Sequence, residues 1–426
     1  MNSNKNSLTD GMPKSTSSNI NEFNIKLKLN NIKIKSEQYI MDTYTNKTRD
    51  ELIAICKEQK IKGYSSMKKN EIIQLLQPEK KNDDNVIVDN DASLKFIDLF
   101  CGIGGFHLAL KNIVPLSRCV FASDIDVNAR KTYEINHLIK PEGDIKQVDI
   151  PSIPHFNLIC GGFPCQAFSI AQWKDKKAFD DPRGTLFFEI IKLIDHHKPK
   201  CILLENVSNL TIINKGTVLK TIINALTTRG YKVSYQLLSP HQFGIPQNRE
   251  RVYIVATNSA NTFNFCELSS KSSKCKLSDI LETNVSEDYY IDPSKYVILT
   301  PEQIKRQTKS GLKFCGYIKG NLRKVGAKEN TEHLSRVHKQ LMRIYSSDGT
   351  HPTLAASETS GRYHIYEEST KRVRRLTLNE CYKLMAYPST FIQHENKAIA
   401  YKHIGNSVCV KVIEEIIREM VKQDIL

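Results

Sequence analysis

The sequence predicts an α/β protein: a mostly parallel sheet flanked by helices, with a smaller second domain inserted before the chain returns. Three observations carry this. From Lys95 to Ala256 short apolar runs alternate with helical stretches, the rhythm of parallel strands joined by helical crossovers. Over residues 258–372 that rhythm stops. A last amphipathic segment, Ser407 to Lys422, then places Val408, Val412, Ile416, Ile417 and Met420 on one face, suited to packing back on the sheet. At 426 residues, 40% hydrophobic and 25% charged, the chain has room for one large domain and one or two small ones.

Residues 1–45, rich in Asn, Ser and Lys, read as a disordered or weakly ordered tail. Residues 46–78 read as a helical hairpin. Thr48-Arg49-Asp50-Glu51 has the capping-box pattern, and Leu52, Ile55 and Cys56 follow at helical spacing. Gly63 breaks that helix, and a second with Ile72, Ile73, Leu75 and Leu76 ends at Pro78. The pair resembles a SAP-type nucleic-acid-binding module, and a plain interaction hairpin fits equally. Residues 79–93 read as a linker.

The sheet follows. The expected strands are KFIDLF from Lys95, RCVFAS from Arg118, NLIC from Asn157, CILLE from Cys201, VSYQLL from Val233 and VYIVA from Val252. The expected helices run through Leu108 and Leu110, from Val127 to Asn136, from Leu186 to His196 and from Gly216 to Arg229.

The net charge is +15, which points to a polyanionic partner, of which nucleic acid is the commonest. Residues 303–346 hold eleven Lys/Arg against two Asp/Glu. Lys305, Arg306, Lys309, Arg323 and Lys324 in that stretch are expected phosphate contacts. No run of ~18 apolar residues suggests a membrane span, and the N-terminus has no apolar core of a secretory signal. The eleven cysteines form no CxxC pair, so no metal site is expected and the thiols read as reduced. The expected location is the cytoplasm, a nucleoid or a viral replication compartment.

Polar elements stand at the ends of successive strands. Phe100-Cys101-Gly102-Ile103-Gly104-Gly105 closes the first strand, and Asp124 ends the second. Glycines there let the backbone turn tightly and approach a ligand, and an acid on the second strand can hold ribose hydroxyls. The spacing is not GxGxxG and there is no Walker lysine, which disfavours a dinucleotide or a triphosphate. Gly161-Gly162-Phe163-Pro164-Cys165-Gln166 places a cysteine on a proline-flanked loop after the third strand, where a nucleophile would stand. Glu205 ends the next strand in Glu205-Asn206-Val207. Gln247-Asn248-Arg249-Glu250-Arg251 brings two guanidiniums on alternate residues.

Together these motifs resemble the cytosine-C5 DNA methyltransferase family over residues 95–425, in the family's order. The resemblance implies a Rossmann-like S-adenosylmethionine-dependent methyltransferase sheet with a smaller target-recognition domain. Residues 94–257 and 373–426 would form the catalytic domain and 258–372 the recognition domain. It implies S-adenosyl-L-methionine as cofactor, held by Phe100, Gly102, Ile103, Gly104, Gly105, Asp124, Ile125, Asp144, Ile145, Pro164, Leu186, Asn406, Ser407 and Val408. Ile125 stands where the family usually has a larger residue beside the adenine. The motifs RRLTLNECYKLMAYP and GNSV close the match.

The partner implied is double-stranded DNA, contacted by Gln166, Ser169, Trp173, Thr353 and Leu354, and the protein is expected to be a monomer. Cys165 would add to C6 of a flipped-out cytosine, Glu205 would relieve charge at N3, and Arg249 and Arg251 would hold O2 of the base and the glutamate. Two other readings share the motifs: a tRNA cytosine-C5 methyltransferase and a catalytically silent DNA-binding protein. The loop after Cys165 departs from the family in carrying Gln172 and Trp173 where small residues are common. Trp173, the one tryptophan of the chain, is expected to report closure of that loop on DNA by its fluorescence. Ala386 replaces a frequent glycine in Met385-Ala386-Tyr387-Pro388, a change read as neutral.

Overall fold

The computed structural model describes residues 48–58, 64, 67–75, 94–164, 186–268, 275–304, 311–320, 331–357 and 363–426. The chain separates into two compact units, an N-terminal one and one formed by Leu94–Ile113 and Ser117–Leu426.

The N-terminal unit holds α1 (Arg49–Glu58) and α2 (Lys69–Leu75). Leu52 and Cys56, one turn apart on α1, bury against Ile72, with Ile53, Tyr64 and Met67 packed around them. Arg49 Nε donates to the Met67 carbonyl at 3.1 Å, and Glu71 accepts from the Lys68 N–H at 2.6 Å. Two helices stand within the stretch expected to form a hairpin. Gly63, Leu76 and Pro78, the expected tail and the whole of the expected linker lie outside the described residues.

In the larger unit the strands are β1 (Lys95–Leu99), β2 (Arg118–Ser123), β3 (Leu158–Gly161), β4 (Cys201–Val207), β5 (Lys232–Leu238), the two-residue β6 (Gln247–Asn248) and β7 (Arg251–Thr257). Six of them form a sheet in the order β2-β1-β3-β4-β7-β5. Its pairs are parallel except at β7, which runs antiparallel to both β4 and β5. Helices α3 (Gly105–Ile113), α4 (Val127–His137), α5 (Leu186–His197) and α6 (Thr217–Thr227) complete the crossovers. The central strands are buried on both faces, as in Ile202, Leu203 and Leu204 of β4, which is why they read as unbroken apolar runs.

A second, five-stranded sheet has the order β13-β12-β10-β9-β8. Its strands are β8 (Tyr296–Ile298), β9 (Phe314–Ile318), β10 (Arg343–Ser346), β12 (His364–Glu367) and β13 (Arg372–Arg375), with α7 (Pro301–Ile304) between β8 and β9. This sheet runs through Arg375, past the expected boundary at 372. The cause is Arg374, fully buried and bonded both to Glu367 on β12 (3.1 Å) and to Glu380 (2.8 Å) on the helix that follows. The short β11 (His351–Pro352) leaves this sheet and pairs with β6.

The chain returns through α8 (Leu378–Leu384), α9 (Lys397–Asn406) and α10 (Val410–Lys422). Two expectations change here. Helix α9 was not read from the sequence, and the last helix starts at Val410, with Ser407 and Val408 in the turn before it and Cys409 at its N-cap position. Val412, Ile416, Ile417 and Met420 bury as expected, and α10 packs along α3.

Ala386 is not a neutral replacement. Its φ is +59°, a left-handed conformation that costs an L-residue roughly 1–2 kcal/mol and a glycine almost nothing. Ala386→Gly is therefore expected to raise stability by up to about 1 kcal/mol, the strain relief being partly offset by the freer unfolded chain. Chemical denaturation of the two proteins measures it.

Candidate active site

A cleft of about 910 Å³ opens at the carboxyl ends of the central strands, where open α/β sheets bind their ligands. One wall begins at the turn after β1. Phe100 has a positive φ of 54°, the kind of backbone strain that collects at functional sites. The Gly102 N–H donates to Asp124 Oδ2 and the Asp126 N–H to Asp124 Oδ1, both at 2.8 Å. These bonds fix the Asp124 carboxylate at the cleft, although burial still pushes its pKa above the usual range.

Two glycines of this turn are required by close approach. A Cβ on Gly104, whose φ is +87°, would stand 2.0 Å from His137 Nε2; one on Gly105 would meet Val408 Cγ2 at 2.6 Å. The second contact brings the Ser407–Val408 turn against the start of α3.

The other end of the cleft holds the acid. Val207 pairs with Arg251 across β4 and β7, so Glu205, two residues back, shares a face with Arg251. That register delivers the ion pair between Arg251 Nε and Glu205 Oε1 at 3.1 Å. Burial raises the Glu205 pKa, outweighing the opposing pull of the Arg251 and Arg249 guanidiniums. Glu205 Oε2 lies 3.4 Å from where a Cβ on Gly162 would be, which sets the acid beside the segment leading to Cys165. Asn206 points to the other face, and its Nδ2 donates to the Phe163 carbonyl at 2.9 Å. It thus ties the end of β4 to the same loop. Sequence reasoning gave Asn206 no role, although its place inside Glu205-Asn206-Val207 could have suggested one.

Arg249 does different work from Arg251. It is 4% exposed and donates to the carbonyls of Leu354 (2.9 Å), Gly405 (3.1 Å) and Ser407 (2.8 Å). Burial lowers its pKa to about 10. It clasps two turns together. Around it, Gln247 Nε2 donates to the Leu384 carbonyl at 2.6 Å, the Leu354 N–H donates to Gln247 Oε1 at 3.2 Å, and the Thr353 hydroxyl donates to the Asn248 carbonyl at 2.9 Å. A Cβ on Gly405 would stand 2.7 Å from the backbone of Ala355 and Ala356, so only glycine lets these turns meet. The segment 247–251 therefore seats Thr353 and Leu354 against the sheet.

Of the residues expected from sequence, Phe100, Gly102, Ile103, Gly105, Asp124, Pro164, Asn406, Ser407 and Val408 line the cleft. Glu205, Arg249, Arg251, Thr353 and Leu354 line it with them. Five others do not. Gly104 is turned toward His137, and Ile125 is 76% exposed. Asp144 accepts the Lys146 N–H at 3.1 Å, capping a short helical turn. Ile145 is buried in the main core, and Leu186 packs against that core. Cys165, Gln166, Ser169 and Trp173 lie outside the described residues, as do Lys305, Arg306, Lys309, Arg323 and Lys324. In the rest of the basic stretch, Lys313 is paired with Asp348, while Arg336 and Lys339 are exposed. Asp126 and His403 also line the cleft, and no sequence signal had marked them. No helix among the described residues is long and apolar enough to cross a membrane.

Residues 94–422 match the family model for the C-5 cytosine-specific DNA methylase. In place of the SAP-like module, residues 43–83 match the N-terminal domain of Rho termination factor. The Type II methyltransferase M1.ScrFI of Lactococcus lactis subsp. cremoris is 36% identical over 334 residues, covering 78% of this chain and 79% of that one. The Type II methyltransferase M.HhaI of Haemophilus parahaemolyticus is 34% identical over 329 residues, covering 76% and 93%. Among solved structures, the Entamoeba histolytica methyltransferase EhMeth superposes with a TM-score of 0.57 at 22% identity, covering 78% of this chain and 98% of that one, a likeness of fold. With the family model spanning most of the chain and these relatives matching along nearly the same length, the chain belongs to the C-5 cytosine-specific DNA methylase family.

Proposed function

We propose that the chain methylates C5 of a flipped-out cytosine in a specific double-stranded DNA sequence, with Cys165 as covalent catalyst and S-adenosyl-L-methionine as methyl donor. One observation carries the reading. A single cleft joins the glycine turn and Asp124 to Glu205, which is held by Arg251 beside the loop that leads to Cys165.

The residues present fit the cofactor. Gly102 leaves open space where a side chain would stand, and Asp124 offers a fixed carboxylate. The cleft is also large enough to bury an adenosine and an amino acid together. On this reading Asp124 takes the ribose, and the turn at Asn406–Val408 covers the amino-acid end. The cofactor, when bound, supplies an electrophilic methyl group on sulfur.

This chain's residues do the rest. The Cys165 thiolate bonds to C6, and the electrons of the C5–C6 double bond move toward C5 and N3. Glu205, whose hold on a proton burial strengthens, shares a proton with N3 and limits the charge that builds there. Arg251 holds Glu205, and Arg249 holds the turns that frame the base. After C5 takes the methyl group it gives its proton to a base, and the thiolate leaves C6 as the double bond reforms. A cytosine stacked in a duplex cannot reach this cleft, so the base must be extruded.

We read residues 94–257 and 376–426 as the catalytic domain and 258–375, to the end of β13, as target recognition. The N-terminal hairpin is an added module and the protein acts as a monomer. Labelled-methyl incorporation tests the function: duplex DNA should become labelled at 5-methylcytosine, while label in tRNA alone, or in neither, would refute it.

A further inference from the structure

His403 lies in this cleft outside the groups the mechanism uses. It sits on α9, is 4% exposed, lines the cleft, and neither ring nitrogen has a hydrogen-bond partner. A buried imidazole with both nitrogens unmatched costs free energy that a ligand could return.

Its position is fixed from two sides. Lys402 Nζ bonds Asp126 Oδ2 at 2.9 Å, pinning α9 to the start of α4. The His394 ring backs it edge-on at 5.7 Å. Burial lowers its pKa to about 4, against the pull of Asp126, so the ring is neutral, with one donor and one acceptor.

The surroundings select what it meets. Asp126 already holds Lys402 and the N–H groups of Asn128 and Ala129. Asn406, three residues on, shares the helix face and also lines the cleft. Beside them Ser407 and Val408 touch Gly105, the first residue of α3, whose N-terminal end favours negative charge. A carboxylate entering this end of the cleft loses its hydration and needs donors.

We propose that His403 donates a hydrogen bond to the carboxylate of the cofactor's methionine portion and so positions that end of the cofactor. The inference rests on the reading of this cleft as the S-adenosylmethionine site. The donor is one ring N–H, and the choice of tautomer is made by the ligand.

Calorimetry with the full chain tests it, using S-adenosylhomocysteine and 5′-methylthioadenosine, which lacks the amino-acid end. His403→Phe is expected to weaken S-adenosylhomocysteine binding about tenfold or more, the size of one hydrogen bond to a charged group. Its affinity for 5′-methylthioadenosine should be unchanged. His403→Gln, which keeps a donor, should bind S-adenosylhomocysteine within about threefold of wild type.

Equal losses for both ligands, or none for either, would overturn the proposal. Failure of the wild-type protein to bind S-adenosylhomocysteine would instead overturn the cofactor reading beneath it. Should His403→Phe not fold, the ¹⁵N ring signal missing from His403→Gln serves. It should move when S-adenosylhomocysteine is added and stay with 5′-methylthioadenosine; a signal that ignores both ligands refutes the contact.

Discussion

Cys165→Ala should lose methyl transfer by on the order of 10⁴-fold or more, while S-adenosylhomocysteine and duplex DNA still bind. The size of the effect follows from the chemistry. C5 of cytosine is too weak a nucleophile to take a methyl group from sulfur until a thiolate has added at C6. Alanine removes that step and no other, because most of the groups that line the cleft come from other elements: the turn after β1, the end of β4, the segment 247–251 and the turn before α10. Steady-state methylation and separate binding titrations measure both halves. A Cys165→Ala protein with near wild-type turnover would remove the nucleophile from the mechanism.

Glu205→Gln should lower kcat by about 10²–10⁴-fold, the usual worth of a positioned proton donor. Burial keeps the Glu205 proton to a higher pH than an exposed glutamate would hold it, even beside Arg251. The wild-type rate should therefore fall as pH rises through that raised pKa, where the acid ionises and stops donating to N3. Glutamine has no such ionisation, so this alkaline limb should be absent from the variant's profile. A variant that keeps both the wild-type rate and the wild-type limb would show that another group supplies the proton.

The parts of this fold that were legible in the sequence are those in which burial is one-sided or complete over a run of residues. Strands β1, β3 and β4 read as apolar runs because they are covered on both faces, and α10 read as amphipathic because Val412, Ile416, Ile417 and Met420 share one buried stripe. Helix α9 was hidden for the opposite reason. Its buried residues are Ala400, Tyr401, His403, Ile404 and Gly405, a face defined by packing rather than by hydrophobicity. The strands of the second sheet are three to five residues long, too short for periodicity to separate from turns.

The candidate site divides in the same way. Glu205, Asp124 and the glycine turn stand at strand ends, where order in the sequence becomes order in space. Arg249 was expected to hold the base and the glutamate, and its charge does reach Glu205. Its bonds go instead to carbonyls at Leu354, Gly405 and Ser407, partners more than a hundred residues away that carry no side-chain signature. Asp144 and Ile145 likewise serve a local turn and the core. Ala386 was misjudged because a sequence displays the missing glycine but not the positive φ that makes it matter.

The most direct measurement is covalent trapping. A duplex carrying 5-fluorocytosine at the methylated position, incubated with the protein and S-adenosylmethionine, should yield a complex that survives denaturation. The reason is that C5 then bears fluorine in place of the proton whose loss releases the thiolate. Mass spectrometry of the digested complex should place the methylated base on the peptide that contains Cys165. Methylation of ordinary duplex with no adduct on the fluorinated one, or an adduct mapped to any other residue, would contradict the mechanism.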